Sequence, residues 1–449
     1  MNLYSHGSGL FGTHVTWEDV EKDMQKALDT NALFGPNKTA KSIGDNKGFL
    51  SKVILVEADW QNKDKTLPDR FVVKIVTQLA MQQFTSELSN QMNIENKFDT
   101  AKFKVNFELQ QKRVHNTEVA VYKLLHEIAK ERIPRAEIYC MKEFSDCNPV
   151  KGYIIMEFLG DLESVEIYEN ISPKALSKVL RAMAVLQAAS LELKEEEKSR
   201  FTQQPFSQLY AEIFSKEVVK IMMKLLRGFA SKVEDMGNED IATDVEKLEE
   251  ILPDLTDLER ADQLADEMGM QRVLCHGDLW PANMLWERDG DKADMAALID
   301  FQTAHMGCPA VDLVRLFVSC LSGKDRRQYW EALIEEFYGY LVEEVGDKQM
   351  PFMLGQLKES YYRFLPMGGF MIMHSIGPLF DALCKNPDEL QKAKNLAVVT
   401  EKTESLLDDI RFHHAMNKYL KKNDIRQGHF TVAPLSLIYM SIHSIPKRP

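Results

Sequence analysis

Residues 276–286 read HGDLWPANMLW, and residues 298–302 read LIDFQ. These two stretches decide the fold, because their acidic loops lie between short apolar runs that are typical of strands. Strands are predicted at 272–275, 284–287 and 296–299, with a loop at 276–283 and a polar turn at 288–292. The predicted hairpin has a carboxylate-bearing loop at each open end, so we expect Asp278, Asn283 and Asp300 to converge.

These three side chains are of the types that phosphoryl transfer from ATP requires. That reaction needs mainly positioning and charge neutralisation from the protein. Mg²⁺ prefers oxygen ligands, which Asn283 and Asp300 would supply, while Asp278 would accept or orient the proton of the attacking hydroxyl. Each residue taken alone is more often a turn cap or a solvated strand end. The joint spacing, with apolar strands on both sides, favours a site.

The motif HGDLWPANMLW followed by LIDFQ closely resembles that of the choline-kinase-like (CHK) small-molecule kinases. This group includes ecdysteroid kinase-like proteins and is similar in design to aminoglycoside phosphotransferases. Residues 9–28 look like a nematode branch of the group, and the resemblance covers roughly residues 9–420. It implies an α+β, bilobal protein-kinase-like fold with a β-rich N-lobe and a mainly helical C-lobe. It also implies ATP and Mg²⁺ bound between the lobes.

Lys74 and Glu118 are predicted to form a buried ion pair. Residues 48–60 and 71–76 are typical of strands, and residues 107–129 have the pattern of a long helix. Lys74 lies in an apolar run, where an unpaired ammonium is costly, and Glu118 shares the apolar face of the helix. The resemblance implies that Lys74 binds the α- and β-phosphates and that Glu118 holds it. The alternatives are a strand lysine pointing to solvent and a partly exposed helix glutamate.

The phosphate-binding loop is the weakest element. Residues 42–49 contain Gly44 and Gly48, and no G-x-G-x-x-G phosphate-binding loop is expected anywhere in the chain. The two glycines are compatible with a tight turn whose N–H groups face phosphate. An ordinary β-turn is equally compatible.

Four further positions have predicted supporting roles. Residues 151–160 have the pattern of a buried strand, which the resemblance identifies as an edge strand leading to the hinge between lobes. The backbone near Glu157 and Phe158 would then pair with adenine. His276 is expected to fix the geometry of its loop. The resemblance assigns to Asp312 a bond to the backbone of the same loop, although an ordinary first-turn helix carboxylate is a close competitor.

The rest of the chain is predicted to be mainly helical. Helical patterns occur at about 174–193, 206–230, 244–268, 310–321, 325–345 and 390–419. We expect an N-terminal helical extension at 1–40, the N-lobe at 41–160, the C-lobe at 161–425 and a tail of unassigned structure at 426–449. Trp280 and Trp286 are predicted core residues.

Composition narrows the function classes. The 449 residues carry a net charge of −13, from 55 basic and 68 acidic side chains, without a basic block. Nucleic acid is therefore not the expected partner. Six cysteines without paired C-x-x-C spacing favour a reduced, cytoplasmic protein. No leader peptide and no membrane span are predicted.

These features predict an ATP-dependent kinase for a hydroxyl of a small-molecule metabolite. HGD and DFQ replace the HRD and DFG of protein kinases, which favours a small acceptor over a protein. Residues 361–374 are candidate acceptor-pocket segments, although their apolar pattern fits helix-packing core equally well. As a pocket they would suit a sterol-like or glycoside-like alcohol, with an amino alcohol such as choline also open. The alternatives are a pseudokinase or scaffold without turnover, a metal-dependent hydrolase using Asp278 and Asp300, and an interaction protein.

Overall fold

The structure is a computed structural model. It describes residues 2–43, 50–92, 96, 99–160, 162–235, 241–289, 292–384 and 388–422. The predictions made for Gly44, for Gly48 and for the tail at 426–449 lie outside these residues.

A five-stranded antiparallel sheet forms the centre of the N-lobe. In spatial order its strands are β2 (Thr39–Ser42), β3 (Ser51–Glu57), β5 (Arg70–Val76), β7 (Tyr153–Glu157) and β6 (Ile138–Lys142). The strands β1 (Leu33–Phe34) and β4 (Trp60–Gln61) form a separate pair. The prediction that 151–160 is an edge strand is wrong, because β7 lies between β5 and β6. The edge is occupied by β6, whose five half-buried residues lack the alternation that signals a strand.

The two faces of this sheet have different coverings. Alternation along β3 and β5 directs Ile54 and Val73 to one face, where they pack with residues of α1 (Trp17–Leu28). The helix α1 begins with a capping box at Thr16 and is joined to the sheet by an ion pair between Lys151 and Asp19 at 2.7 Å. The predicted N-terminal helical extension therefore covers the sheet face that is turned away from Lys74.

Residues 7–12 read GSGLFG, which is the G-x-G-x-x-G spacing of a dinucleotide-binding turn. In that motif the glycines follow a strand, and backbone N–H groups face a phosphate. Here the N–H groups of Gly7 and Gly9 donate to the carbonyls of Gly12 and Thr13, each at 2.8 Å. Leu10 is buried in the α1 layer. The segment is therefore a self-bonded turn on the outer face of the sheet.

Two further helices belong to the N-lobe, α2 (Leu79–Met92) and α3 (Ala101–His126). The C-lobe contains α4 (Ser177–Leu191), α5 (Glu195–Lys198), α6 (Lys216–Glu234), α7 (Ile241–Glu250), α8 (Leu252–Leu255), α9 (Leu258–Glu267), α10 (Ala310–Cys320), α11 (Gly323–Val345), α12 (Leu354–Ile376), α13 (Phe380–Leu383) and α14 (Glu389–Lys422). The helix predicted at 244–268 is divided into three, with Pro253 in the first turn of α8. None of the described helices has both the length and the apolarity to cross a bilayer.

The helix α12 was not predicted as a helix. It contains Pro366 and the pair Gly368–Gly369, which disfavour a helix in water. Close packing of α12 against α10 compensates for this low helix propensity. A Cβ on Gly368 would lie only 2.8 Å from Val314 of α10, so the two helices can approach this closely because Gly368 has no side chain. Most of the predicted acceptor segment at 361–374 is thus buried in the C-lobe core.

The site hairpin follows the prediction closely. Strand β9 (Val273–Cys275) pairs with β12 (His305–Gly307), and β10 (Met284–Asp289) pairs with β11 (Lys292–Leu298). β10 also pairs with the short strand β8 (Glu163–Ser164). The strands extend into the predicted polar turn. Trp286 is fully buried, as predicted, whereas Trp280 packs against the core but remains partly exposed. A β-rich N-lobe, a mainly helical C-lobe and this hairpin confirm the α+β, bilobal protein-kinase-like fold.

Candidate active site

Lys74 is the centre of a buried cluster of charges. Its Nζ atom donates to Oε1 and Oε2 of Glu118 at 2.9 and 2.7 Å, and to Oδ1 of Asp300 at 2.7 Å. Lys74 is 7% exposed and Glu118 is 1% exposed. The predicted Lys74–Glu118 contact is present, and Asp300 adds a second carboxylate from the other lobe. A buried ammonium of this kind is tolerated because it is fully paired.

Burial and pairing act in opposite directions on these groups. Burial disfavours the ammonium of Lys74, but Asp300 and Glu118 outweigh it and raise the pKa of Lys74 above its ordinary value. Burial, opposed by Lys74 and assisted by the charge of Asp300, raises the pKa of Glu118 to about 7. The ammonium therefore stays charged, and Glu118 gives up its proton less readily than an exposed glutamate does.

Asp300 has an unusual backbone conformation. It lies two residues after the end of β11 and has a φ of 66°, in the left-handed region. A left-handed residue other than glycine costs about 1 kcal/mol or more, and such strain persists where surrounding contacts hold it. Aspartate tolerates this region better than most residues. The turn brings the carboxylate of Asp300 back to Lys74.

Asn283 connects the two acidic loops. Its Nδ2 atom donates to the backbone carbonyl of Asp278 at 2.8 Å and to Oδ2 of Asp278 at 2.9 Å. The backbone carbonyl of Asn283 accepts from the N–H of Ile299 at 3.1 Å, and Ile299 directly precedes Asp300. The side-chain amide nitrogen is thus turned toward Asp278, and its oxygen points away from that carboxylate. Asn283 and Asp300 both line the same cleft.

Arg315 contacts the carboxylate of Asp278, and sequence reasoning missed it. Its Nη2 atom forms an ion pair with Oδ1 of Asp278, and the two side chains are 20% and 18% exposed. The guanidinium also lies 6.0 Å from the ring centroid of Trp280. The signal was available, because Asp312 and Arg315 are three residues apart on α10 and so share one helix face.

Asp312 bonds the backbone of the loop at 276–283. It is 1% exposed and accepts from the N–H groups of His276 and Gly277, both at 2.8 Å. Burial raises the pKa of Asp312, against the opposing effects of the neighbouring histidines and these N–H groups. The contact predicted between Asp312 and the loop is present. It gives hydrogen-bond partners to two buried backbone N–H groups that would otherwise have none.

His276 is bonded on both sides of its ring. Nε2 lies 3.1 Å from the carbonyl oxygen of Ile299, to which it must donate, and Nδ1 accepts from the N–H of Asp278 at 3.3 Å. These partners match one neutral tautomer. The contacts agree with the predicted role of fixing loop geometry.

Gly277 is required by backbone geometry. Its φ is 83°, and a Cβ built on it would lie 2.2 Å from the carbonyl oxygen of Thr303. The loop therefore approaches the segment after β11 more closely than any residue with a side chain permits.

A cavity of about 290 Å³ lies between the N-lobe sheet and the site hairpin. Lys74, Asn283 and Asp300 line it, together with the predicted adenine-side positions Glu157 and Phe158. The N–H of Glu157 already donates to the carbonyl of Glu137 at 2.8 Å. Within the described ranges, no group of three or more His, Cys, Asp or Glu side chains is arranged to hold a metal ion.

Comparison with known proteins identifies one family and several distant relatives. Residues 3–418 match the DUF1679 family, described as "Uncharacterized oxidoreductase dhs-27". The Caenorhabditis elegans protein of that name is 26% identical over 261 residues, which are 55% of this chain and 29% of that protein. The "Uncharacterized kinase-like protein D1044.1" of the same organism is 23% identical over 214 residues, 47% of this chain and 52% of that protein.

The chain therefore spans about a third and about half of the lengths of these two relatives. Among solved structures, a choline kinase from Cryptosporidium parvum Iowa II is 15% identical. The match covers 87% of this chain and 92% of that one, with a TM-score of 0.41.

Proposed function

The chain belongs to the DUF1679 family, and we propose that it is a kinase that transfers the γ-phosphate of ATP to a hydroxyl of a small-molecule alcohol. The observation that carries this proposal is the meeting of two groups of polar side chains at Asn283. Lys74, Glu118, Asp300 and Asn283 line one cleft, and Asn283 also donates to the carboxylate of Asp278. Positioning and charge neutralisation are what phosphoryl transfer needs from a protein.

Lys74 is proposed to bind the phosphates of the nucleotide. Its ammonium lines the cleft, and Glu118 fixes its position through two hydrogen bonds. The raised pKa of Lys74 keeps the ammonium charged at every physiological pH. Glu118 is therefore a positioning residue.

Asn283 and Asp300 are proposed to hold Mg²⁺. The residue types fit, because Mg²⁺ is commonly bound by one or two carboxylates together with phosphate oxygens and water. The orientation of the Asn283 amide fits as well, since its nitrogen is engaged with Asp278 and its oxygen is not directed there. When bound, the ion would neutralise phosphate charge.

Asp278 is proposed to orient the acceptor hydroxyl and to take its proton. The acceptor oxygen forms a bond to the γ-phosphorus, the bond from that phosphorus to the β–γ bridging oxygen breaks, and ADP leaves with the electron pair. The hydroxyl proton passes to the carboxylate of Asp278. Asn283 and Arg315 each bond one oxygen of that carboxylate and so fix its direction.

Two observations bear on other functions. The family description names an oxidoreductase. The segment at 7–12 has the spacing of a dinucleotide-binding turn, but its N–H groups donate to carbonyls of the same turn and do not face the cleft. The alternative is a nucleotide-binding protein without turnover. All the residue types that turnover requires are present, and the experiment below distinguishes the two.

A cytoplasmic location is part of the proposal, because all six cysteines are free thiols.

The experiment is label transfer from γ-labelled ATP with Mg²⁺ into a fractionated metabolite extract. Wild type is compared with Asp278→Ala, with Asp300→Ala and with a matched control, Asp294→Ala, at an exposed aspartate paired with Lys178. We expect a labelled small molecule from wild type and the control. We expect a loss of roughly a hundredfold or more with Asp278→Ala while nucleotide binding persists.

Asp300→Ala should instead weaken Mg²⁺-dependent nucleotide binding itself. Saturable binding of Mg-ATP that is lost in Asp300→Ala, without any transfer by wild type, would support a pseudokinase. Wild type that binds no nucleotide would refute the proposal.

A further inference from the structure

Arg315 neutralises the charge of Asp278, the carboxylate proposed to face the acceptor. We infer that Arg315 determines specificity by restricting the enzyme to acceptor alcohols that carry no cationic group. This inference rests on the proposed kinase function and narrows its substrate class, because amino alcohols and quaternary ammonium alcohols are excluded.

The first support is the ion pair itself. The guanidinium of Arg315 contacts Oδ1 of Asp278, the carboxylate proposed to face the acceptor, and both groups remain about one-fifth exposed. A carboxylate and a guanidinium together carry no net charge. A cationic acceptor placed at Asp278 would therefore meet an ion pair that offers it no net negative charge, with the guanidinium at contact distance of the same carboxylate.

The second support is the aromatic ring beside Asp278. Recognition of ammonium groups commonly uses the face of a tryptophan or another aromatic residue. Here the face of Trp280 is already approached by the guanidinium of Arg315, 6.0 Å from the ring centroid. The aromatic surface that an onium group would use is occupied by a side chain of the protein.

The third support is that the other nearby carboxylates are engaged. Asp312 accepts from two backbone N–H groups behind the loop. Glu118 and Asp300 share the ammonium of Lys74 on the nucleotide side. None of these three carboxylates replaces the one that Arg315 neutralises.

The remaining neighbours are neutral and largely apolar. Burial and Arg315 lower the pKa of His374 to about 4, so its ring is uncharged at neutral pH. The hydroxyl of Tyr210 donates to the carbonyl of Gly277 at 3.2 Å, and its ring stacks on Phe206 and lies near Phe214. Phe206 and Phe214 are buried in the C-lobe core, and Tyr210, which is partly exposed, adds no charge beside the loop.

The test measures the charge of the labelled product. The metabolite extract is supplemented with equal amounts of choline and its uncharged isostere, in which carbon replaces the quaternary nitrogen. After transfer from γ-labelled ATP, the products pass over a cation exchanger in acid. Phosphate esters of cationic alcohols are retained, and esters of uncharged alcohols pass through, so the retained fraction reports acceptor charge directly.

We expect the wild-type label to pass through the exchanger. Arg315→Met should raise the ratio of retained to unretained label by about tenfold or more, because the repulsive charge is gone and Asp278 is left unneutralised. Arg315→Lys keeps the charge and should keep the wild-type ratio. Arg411→Met removes an arginine that pairs with Asp244 and should also leave the ratio unchanged. A ratio measured within one protein is insensitive to a partial loss of folded enzyme.

Wild-type label that is retained would overturn the inference and leave the kinase function standing. An unchanged ratio in Arg315→Met would also overturn it. Absence of transfer by a wild type that binds nucleotide would instead remove the proposed function, and the inference with it.

Discussion

The Nζ atom of Lys74 lies 2.7 Å from Oε2 of Glu118, although the two residues are 44 positions apart and belong to a strand and a helix. The same ammonium reaches Asp300 in the other lobe at 2.7 Å. One side chain therefore joins the sheet, the long helix and the acidic loop of the C-lobe.

Replacing Lys74 with methionine should weaken nucleotide binding by at least about tenfold, because the proposed phosphate ligand is lost. It should also lower the free energy of unfolding by roughly 3 kcal/mol, since two carboxylates lose their shared cation. Titration with labelled ATP and urea denaturation measure the two effects. Lys130→Met is the control, because Lys130 forms a half-exposed pair with Glu157 and should cost little. Unaltered nucleotide affinity in Lys74→Met would contradict the assignment.

Replacing Asp312 with asparagine should loosen the catalytic loop. The new amide group cannot accept from both N–H groups of His276 and Gly277, so one buried donor loses its partner. We expect a loss of about 2 kcal/mol in the free energy of unfolding and a lower transfer rate. Asp381→Asn affects an exposed pair with Lys232 and should change stability by less than about 0.5 kcal/mol. Equal stabilities of the two variants would argue against this role of Asp312.

Gly277→Ala should be much more harmful than a glycine replacement elsewhere. The added Cβ would lie 2.2 Å from a backbone oxygen, at a φ of 83°, so the loop must shift. Gly339→Ala is the matched control, because Gly339 lies within α11 and its Cβ would meet no atom within 4 Å. That control should gain about 0.5–1 kcal/mol, as alanine favours a helix. Thermal unfolding compares them, and a Gly277→Ala protein as stable as wild type would show that the loop can move.

Stability should fall in mild acid because of buried histidine. Burial lowers the pKa of His115 from an ordinary 6.5 to about 4, and its Nε2 lies 2.7 Å from the carbonyl of Lys142. The unfolded chain then binds a proton that the folded chain does not, so this stability is complete above pH 6.5 and is lost as the pH falls toward 4. The expected slope is roughly 1.4 kcal/mol per pH unit for one histidine.

Urea denaturation at a series of pH values measures this slope. His115→Gln, which retains a donor for the carbonyl of Lys142, should flatten it by about that amount. His374 and His413, whose pKa values burial also lowers to about 4, continue to contribute in that variant. A slope identical to that of wild type would exclude His115 as the cause.

The sequence predicts the site hairpin well because its signals are local. Strong turn residues separate short apolar runs there, and the acidic residues lie directly at the strand ends. The pairing of Lys74 with Glu118 was also predictable, because a charge buried on an apolar face is costly unless it has a partner of opposite charge. In both cases a single physical requirement leaves few alternatives.

Other features depend on tertiary contacts that no local pattern reveals. β7 lies inside the sheet because β6 pairs with its outer side. The residues of β6 show no alternation of buried and exposed positions, so the sequence gives no signal for this strand. The helix α12 forms through Pro366 and two glycines because its neighbours pack closely on it. The sequence places Arg315 on the same helix face as Asp312, but its contact with Asp278 follows only from the loop that lies against α10.

The contact between Lys74 and Asp300 has a thermodynamic consequence for ligand binding. It crosses from one lobe to the other, and both partners are groups that the proposed nucleotide and its metal would recruit. Binding is then an exchange of partners, in which an internal ion pair is given up or shared. The measured affinity is the difference between two sets of contacts, so a variant that weakens only the internal pair can tighten nucleotide binding while making the empty protein less stable.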